Sequence, residues 1–268
     1  MAPDGTPPNE EPMTTPLMVP TPPPPHGLLL GKGVLVTAAA GSGIGQATAR
    51  RCLDEGARVV IADKHARRLN ETAAELGVPG IVADVTDESS VQAMIAGAAE
   101  SLGGIDVLVN NAGLGGTAEV HEMTDEQWAL VLDVTLTGTF RVTRAALAHM
   151  YPRGHGVIIN NASVLGWRAQ PGQAHYAAAK AGVMAFTRCS AIEAAPRGVR
   201  INAVAPSLAM HANLAKVTSD EVLAELTSRE AFGRAAEPWE IANVIVFLAS
   251  EYSSYMTGEV VSVSSQHP

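Results

Sequence analysis

The run HYAAAKAGV places Tyr176 and Lys180 four residues apart among alanine, glycine and valine. On a helix that spacing stacks both side chains on one face, so an ammonium sits beside a phenol. A phenol ionises near pH 10 in water, and one cation at ~5 Å in an effective dielectric of ~20 favours ionisation by about 3 kcal/mol, close to two pK units. The pair reads as a proton donor and acceptor drawn toward neutral pH.

A second constellation lies upstream. In TAAAGSGIGQATARR, Gly41, Gly43 and Gly45, with Ser42 and Ile44 between them, lead from a strand into a helix. Glycines there permit positive φ and let backbone amides approach a pyrophosphate at the helix N-terminus. Gln46 breaks the G-x-G-x-x-G spacing, and on its own the run is equally a plain strand-to-helix turn. Asp63, 18 residues after Gly45, adds weight because a carboxylate ending the second strand can accept from the hydroxyls of an adenosine ribose. A 2'-phosphate at ~4 Å from it would cost on the order of 4 kcal/mol at a dielectric of ~20. NAD is therefore expected over NADP, a preference that Lys64 and His65 would soften. Asp84, followed by Val85, could receive an adenine amino group or serve as a helix N-cap.

Positioning these groups requires short β-rich runs alternating with amphipathic helices, which specifies a parallel sheet covered by helices. Strands are predicted at 34–37, 59–63, 80–84, 106–110, 157–162, 199–204 and 259–263. Seven parallel strands with helical crossovers form a doubly wound α/β sheet of the Rossmann type in one domain, and its ligands sit beyond the strands' carboxyl ends. The catalytic domain is expected over 27–268. Ten of the 17 prolines fall in the first 25 residues, so 1–26 reads as an extended or disordered arm.

The totals set limits. With 27 acidic against 18 basic residues the net charge is -9, which argues against nucleic acid or an anionic membrane as partner. Cys52 and Cys189 fall in predicted helices and make no disulfide framework, consistent with a reducing cytoplasm and with core or interface thiols. No apolar run reaches the roughly 18 residues of a bilayer span. No metal site is expected.

The glycine loop, NNAG at 110–113, NNASVLG at 160–166, and the order Ser163, Tyr176, Lys180 together resemble the short-chain dehydrogenase/reductase family over residues 31 to about 263. That resemblance implies hydride transfer between a nicotinamide and a secondary alcohol or ketone. Ser163 would hold the substrate oxygen, Tyr176 would pass the proton, and Lys180 would tune the phenol and hold the nicotinamide ribose. It further implies cofactor contacts by Thr37, Asn110, Ala112 and Gly113, with Pro206, Ser207 and Leu208 aligned on a Pro-Gly segment that meets the carboxamide. Homo-oligomers, tetramers above all, are usual for relatives, and the Ala-rich helices near 136–150 and 174–195 suit such packing.

Departures from the pattern are specific. The first glycine of the family loop is missing, Thr37 being followed by Ala38, Ala39 and Ala40, and the spacer to Gly43 is one residue longer. Thr135 stands where the family carries a fourth catalytic residue, an asparagine, and its hydroxyl is expected to hold a water in an altered proton relay. Ser207 replaces glycine, His211 stands where a threonine often binds the carboxamide, and the chain ends SVSSQHP in place of Asp-Gly-Gly. Together with NNASVLGWRAQ, FGRAAEPWE and YSSYMTGEVVSVSSQ, these departures resemble a steroid-degrading subgroup of the family. Its reaction interconverts a ring hydroxyl and ketone on a bicyclic indanone propionate, the ring C/D fragment, carried as a coenzyme A thioester. The substrate-pocket candidates are Leu114, Leu165, Trp167, Gln170, Met210 and His211, with Arg168 on a CoA phosphate or the surface, and 208–234 as a lid or a fixed covering helix. Two alternatives remain: a 3-oxoacyl or 3-hydroxyacyl thioester reductase, and a non-catalytic dinucleotide-sensing module.

Overall fold

A computed structural model describes residues 18–210 and 220–265. The strands are β1 (Gly33–Thr37), β2 (Arg58–Asp63), β3 (Gly80–Val82), β4 (Val107–Asn110), β5 (Gly156–Asn161), β6 (Val199–Pro206) and β7 (Val260–Val263). All pair in parallel in the order β3-β2-β1-β4-β5-β6-β7. The order reverses between β1 and β4, where Val34 pairs with Val107, and the crevice at that reversal is where such sheets hold ligands.

Period-two alternation divides the core between the two faces of the sheet. Val34 and Val36 belong to one cluster and Leu35 to the other. Helices α1 (Ile44–Asp54), α2 (Ala66–Leu76) and a helix at Pro238–Ala249 cover the first face through Cys52, Leu69, Ile241 and Ile245. Helices α3 (Glu88–Leu102), α5 (Gly138–Met150) and α6 (Ala174–Ala194) cover the second through Met94, Val142, Ala146 and Ala191. Between them in sequence, α4 (Asp125–Leu132) runs into α5 through a π-helical turn, Asp133–Thr137. A shorter helix, α7 (Asp220–Ser228), is the amphipathic element expected in the 208–234 segment, and the helix at Pro238–Ala249 is α8.

The predicted strands agree in number and place, with two informative differences. β3 stops at Val82 because the Asp84 N–H turns to the Ser90 hydroxyl at 3.0 Å instead of extending the ladder. β6 runs two residues further than expected, to Pro206, since β7 still pairs with it there. Residues 18–26 are exposed and lack regular structure, while the arm's earlier residues lie outside the described ones. The carbonyls of Pro23 and Pro24 accept from Arg51, and the buried Glu55 carboxylate accepts from the N–H groups of His26 and Leu28. Of the thiols, Cys52 is a core residue whose burial pushes its pKa up to about 12, whereas Cys189 is exposed.

Candidate active site

The C-terminal ends of β1, β4, β5 and β6 open into a cleft of about 810 Å³. It is lined by Gly43, Ile44, Gly45 and Asp63 at one end, and by Ser163, Leu165, Tyr176, Lys180, Pro206, Ser207 and Leu208 at the other. A second cavity of about 760 Å³ adjoins it, walled by Thr37, Asp63, Asp84, Val85, Ala112, Gly113 and Leu114. Gln170 reaches both.

Ser163 follows β5 and opens a short turn, where its Oγ accepts from Leu165 N–H at 3.2 Å. The Ser163 hydroxyl is also hydrogen-bonded to the Tyr176 phenol. One turn along α6, the Lys180 ammonium lies 5.5 Å from the Tyr176 ring centroid and donates to Asn161 O at 2.5 Å. Burial dominates the ionisation of both groups. It pushes Tyr176 up to about 12, against a smaller downward pull from the Ser163 bond, and it pushes Lys180 down to about 8. The expectation of a phenol already acidified by its lysine is therefore corrected for the protein alone. Desolvation, which disfavours the phenolate, outweighs the Ser163 hydrogen bond that favours it.

A chain of hydrogen bonds ties this centre to the glycine loop. Asn161 Nδ2 donates to Asn111 Oδ1 at 2.9 Å, and Asn111 Nδ2 donates to Ala38 O at 3.0 Å. Ala38 occupies the left-handed region at φ 49, a conformation that favours glycine. Gly45 has no substitute there, because a Cβ would stand 2.5 Å from Ala38 O. Thr37 Oγ1 accepts from Asn111 N–H at 3.0 Å and Ala112 N–H at 3.3 Å, locking the ends of β1 and β4 together.

Several predicted residues have other roles. The Asn110 side chain turns into the core, donating to Thr143 Oγ1 and Asn160 Oδ1 at 3.0 Å each, so Asn111 supplies the cleft contact instead. Thr135, fully buried in the π-helical turn, exchanges hydrogen bonds with the backbone of Leu114: Oγ1 accepts from N–H at 3.0 Å and donates to O at 3.2 Å. Its proton is thus committed to the chain, which corrects the expectation of a water-holding hydroxyl. Asp84 caps no helix. It accepts from Thr86 N–H and Oγ1, which holds its carboxyl below the usual range, and Asp87 is the N-cap of α3. Ser42 is exposed outside both cavities, and Trp167 is 51% exposed beyond the turn that presents Leu165. Met210 donates its N–H to Ala236 O and lines neither cavity, while His211 lies outside the described residues.

Three lining arginines complete the cleft: Arg68 from α2, Arg168 after β5 and Arg229 after α7. Only Arg168 was anticipated. Among the described residues lining this wall, Lys180 and the three arginines stand against one acidic side chain, Asp63, and Arg229 is paired with Glu225 of α7 at 2.5 Å. Such a cleft draws in anions. The residues fit a dinucleotide. Gly43 caps α1 without a side-chain hydrogen bond, and Asn161 Oδ1, on the cleft wall, is buried without a partner. A Cβ at Gly113 would come within 3.3 Å of Lys180 Nζ.

Comparisons with known proteins agree. Residues 38–265 match the family described as Enoyl-(Acyl carrier protein) reductase. The chain is 64% identical over 250 residues to the (5R,7aS)-5-hydroxy-7a-methyl-1-oxo-2,3,5,6,7,7a-hexahydro-1H-indene-carboxyl-CoA reductase of Mycobacterium tuberculosis, covering 91% of this chain and 95% of that one. It is 40% identical to a 3-oxoacyl-acyl-carrier-protein reductase of Thermotoga maritima, over 88% and 97% of the two chains. The crystal structure of a short chain dehydrogenase from Mycobacterium smegmatis superposes with a TM-score of 0.84 at 59% identity, over 94% and 99% of the chains. The chain is an oxidoreductase of the short-chain dehydrogenase/reductase family, whose members use a nicotinamide dinucleotide.

Proposed function

We propose that the enzyme transfers hydride between NAD(H) and a ring hydroxyl or ketone on an alicyclic, steroid-derived coenzyme A thioester. The observation that carries the reaction type is the single wall on which Ser163, Tyr176 and Lys180 line the cleft, hydrogen-bonded as described above. The substrate class rests on the 64% identity to the indene-carboxyl-CoA reductase. The guanidinium groups of Arg168 and of Arg229, the latter now paired with Glu225, lie where a phosphorylated tail would meet the cleft.

Gly43, Ile44 and Gly45 would hold the pyrophosphate, Asp63 the adenosine ribose, Lys180 and Asn161 the nicotinamide ribose, and Pro206 to Leu208 the carboxamide. When bound, the dinucleotide supplies the site that accepts or releases hydride. Ser163 donates a hydrogen bond to the substrate oxygen, and Tyr176 gives that oxygen its proton during reduction or removes it during oxidation. Lys180 holds positive charge near the phenol, an influence that grows as ligands exclude water. Thr135 acts at one remove by fixing the backbone of Leu114, which leads into the substrate side.

NAD is preferred because Asp63, held by His65 N–H at 2.9 Å and Ala40 N–H at 3.3 Å, aims a fixed negative charge where a 2'-phosphate would lie. The same reading places the enzyme in the cytoplasm as a homo-oligomer joined through α5 and α6, whose Phe140 and Ile192 are exposed. The lid read for 208–234 lies in part, at 211–219, outside the described residues; of its described part, Leu226 of α7 lines the cleft.

The test is a panel of cofactors and substrates followed at the nicotinamide absorbance. Turnover of a bicyclic ring-ketone CoA thioester with NADH, well above that of straight-chain 3-oxoacyl thioesters, is expected. Preference for the straight-chain substrate would replace this reading with a 3-oxoacyl thioester reductase.

A further inference from the structure

Two segments far apart in sequence, one at Ser207 and one at Ser265, meet in space at one buried carboxylate. Glu230, just beyond α7, is only 4% exposed. Its Oε2 accepts from the Ser207 hydroxyl at 3.1 Å and the Ser265 hydroxyl at 2.7 Å, and its Oε1 accepts from Leu208 N–H at 3.3 Å. The backbone follows the same path: Ala231 N–H donates to Ser265 O at 2.9 Å, and Ser207 N–H to Val263 O at 3.2 Å. A glycine at 207 could not make the first contact, and a chain ending at β7 could not make the second.

Removing a carboxylate from water is unfavourable unless hydrogen bonds replace its hydration. Here the carboxylate and its donors lie on three segments far apart in sequence, at 207–208, 230 and 265, so the bonds persist only while those segments stay together. Ser207 and Leu208 line the cleft whereas Glu230 does not. It therefore acts on the cleft from behind the wall.

We infer that Glu230 is a positioning residue, a latch that fastens the α7 segment and the C-terminal residues to the Pro206–Leu208 wall and so fixes the backbone supporting the nicotinamide end of the dinucleotide. This rests on the dinucleotide reading of the cleft. The chemistry distinguishes two variants. In Glu230→Gln the amide oxygen still accepts from Leu208 N–H, and the NH2 group can donate to the two serine oxygens, whose hydroxyls are free to turn. Glu230→Ala loses every one of these contacts.

The test is dinucleotide binding by titration calorimetry on the full-length protein, with thermal unfolding and steady-state kinetics in parallel, for wild type, E230Q, E230A, S265A and E230A/S265A. We expect E230A to raise the dinucleotide Kd about tenfold or more, equivalent to about 1.4 kcal/mol. Its KM for dinucleotide should rise more than its kcat falls at saturation. E230Q should restore binding to within about threefold of wild type, and the double variant should bind no worse than E230A, because both changes break one shared contact. A folded E230A with wild-type Kd, or effects of E230A and S265A that multiply, would overturn the latch. Should E230A not fold, S207G and S265A decide the matter: each weakens binding if the latch is real, and unchanged Kd in both sinks it. A wild-type protein that binds no dinucleotide would overturn the reading of the cleft and the latch with it.

Discussion

Replacing Lys180 with methionine should make the dinucleotide-free protein more stable while destroying its activity. The ammonium is 3% exposed, and burial lowers its pKa from 10.5 to about 8. At 1.36 kcal/mol per unit, the charged lysine is about 3 kcal/mol less favourable in the folded chain than in the unfolded one. The sign follows from the protons. The unfolded lysine keeps its proton up to about pH 10.5 and the folded one only to about 8, so between those values unfolding takes up a proton and stability rises with pH. Below pH 8 the whole penalty is present. Methionine removes it with a stem of similar shape, but leaves Asn161 O without its donor, which costs about 1 kcal/mol. At pH 7 Lys180→Met should therefore be about 2 kcal/mol more stable than wild type. Between pH 8 and 10.5 the wild type should recover that deficit and overtake the variant. Urea unfolding at fixed protein concentration, at intervals from pH 7 to 10.5, measures the difference, and other titrating groups cancel between the two proteins. Parallel stability curves, or a variant less stable at pH 7, would refute the reasoning.

Other expectations are shorter to state. Tyr176→Phe should lower kcat by about 10²–10⁴-fold with dinucleotide affinity little changed; retained turnover would remove Tyr176 from proton transfer. In the absence of ligand, ultraviolet titration should show no ionisation of Tyr176 until about pH 12, detected as the difference between wild type and Tyr176→Phe. Bound NAD should move that step downward, since added positive charge favours the phenolate. Asp63→Asn should narrow the preference for NAD over NADP by about 10²-fold or more, given ~4 kcal/mol of repulsion removed, as read from the ratio of kcat/KM values. Ala38→Gly should stabilise the fold by up to about 1 kcal/mol, because relief of left-handed strain outweighs the added chain entropy, and thermal unfolding would show it.

Periodicity made the sheet legible, because Val34, Leu35 and Val36 must alternate between two apolar layers. Spacing made the Ser163, Tyr176 and Lys180 group legible, because a strand end and one helical turn leave few ways to arrange them. What the sequence could not show was orientation within repeats and contact between distant segments. The pairs Asn110–Asn111 and Asn160–Asn161 look alike in one dimension. Yet strand alternation sends the first of each pair into the core and the second to the cleft. Trp167 drew notice as a large ring beside the site, but the short turn after Ser163 leaves it outward. Arg68, Arg229 and Glu230 carried no local signal, since only the folded chain brings α2 and the end of α7 to one cleft and sets Glu230 with Ser265 behind its wall.

The chain of amides from Lys180 through Asn161 and Asn111 to the carbonyl of Ala38 has a practical consequence for anyone redesigning this enzyme. Loop residues near Ala38 are natural targets for exchanging one redox carrier for another. Here they also anchor the base of the proton machinery. Swapping carriers and preserving turnover are one engineering problem in this protein, and a compensating change at Asn111 is the first place to seek its solution.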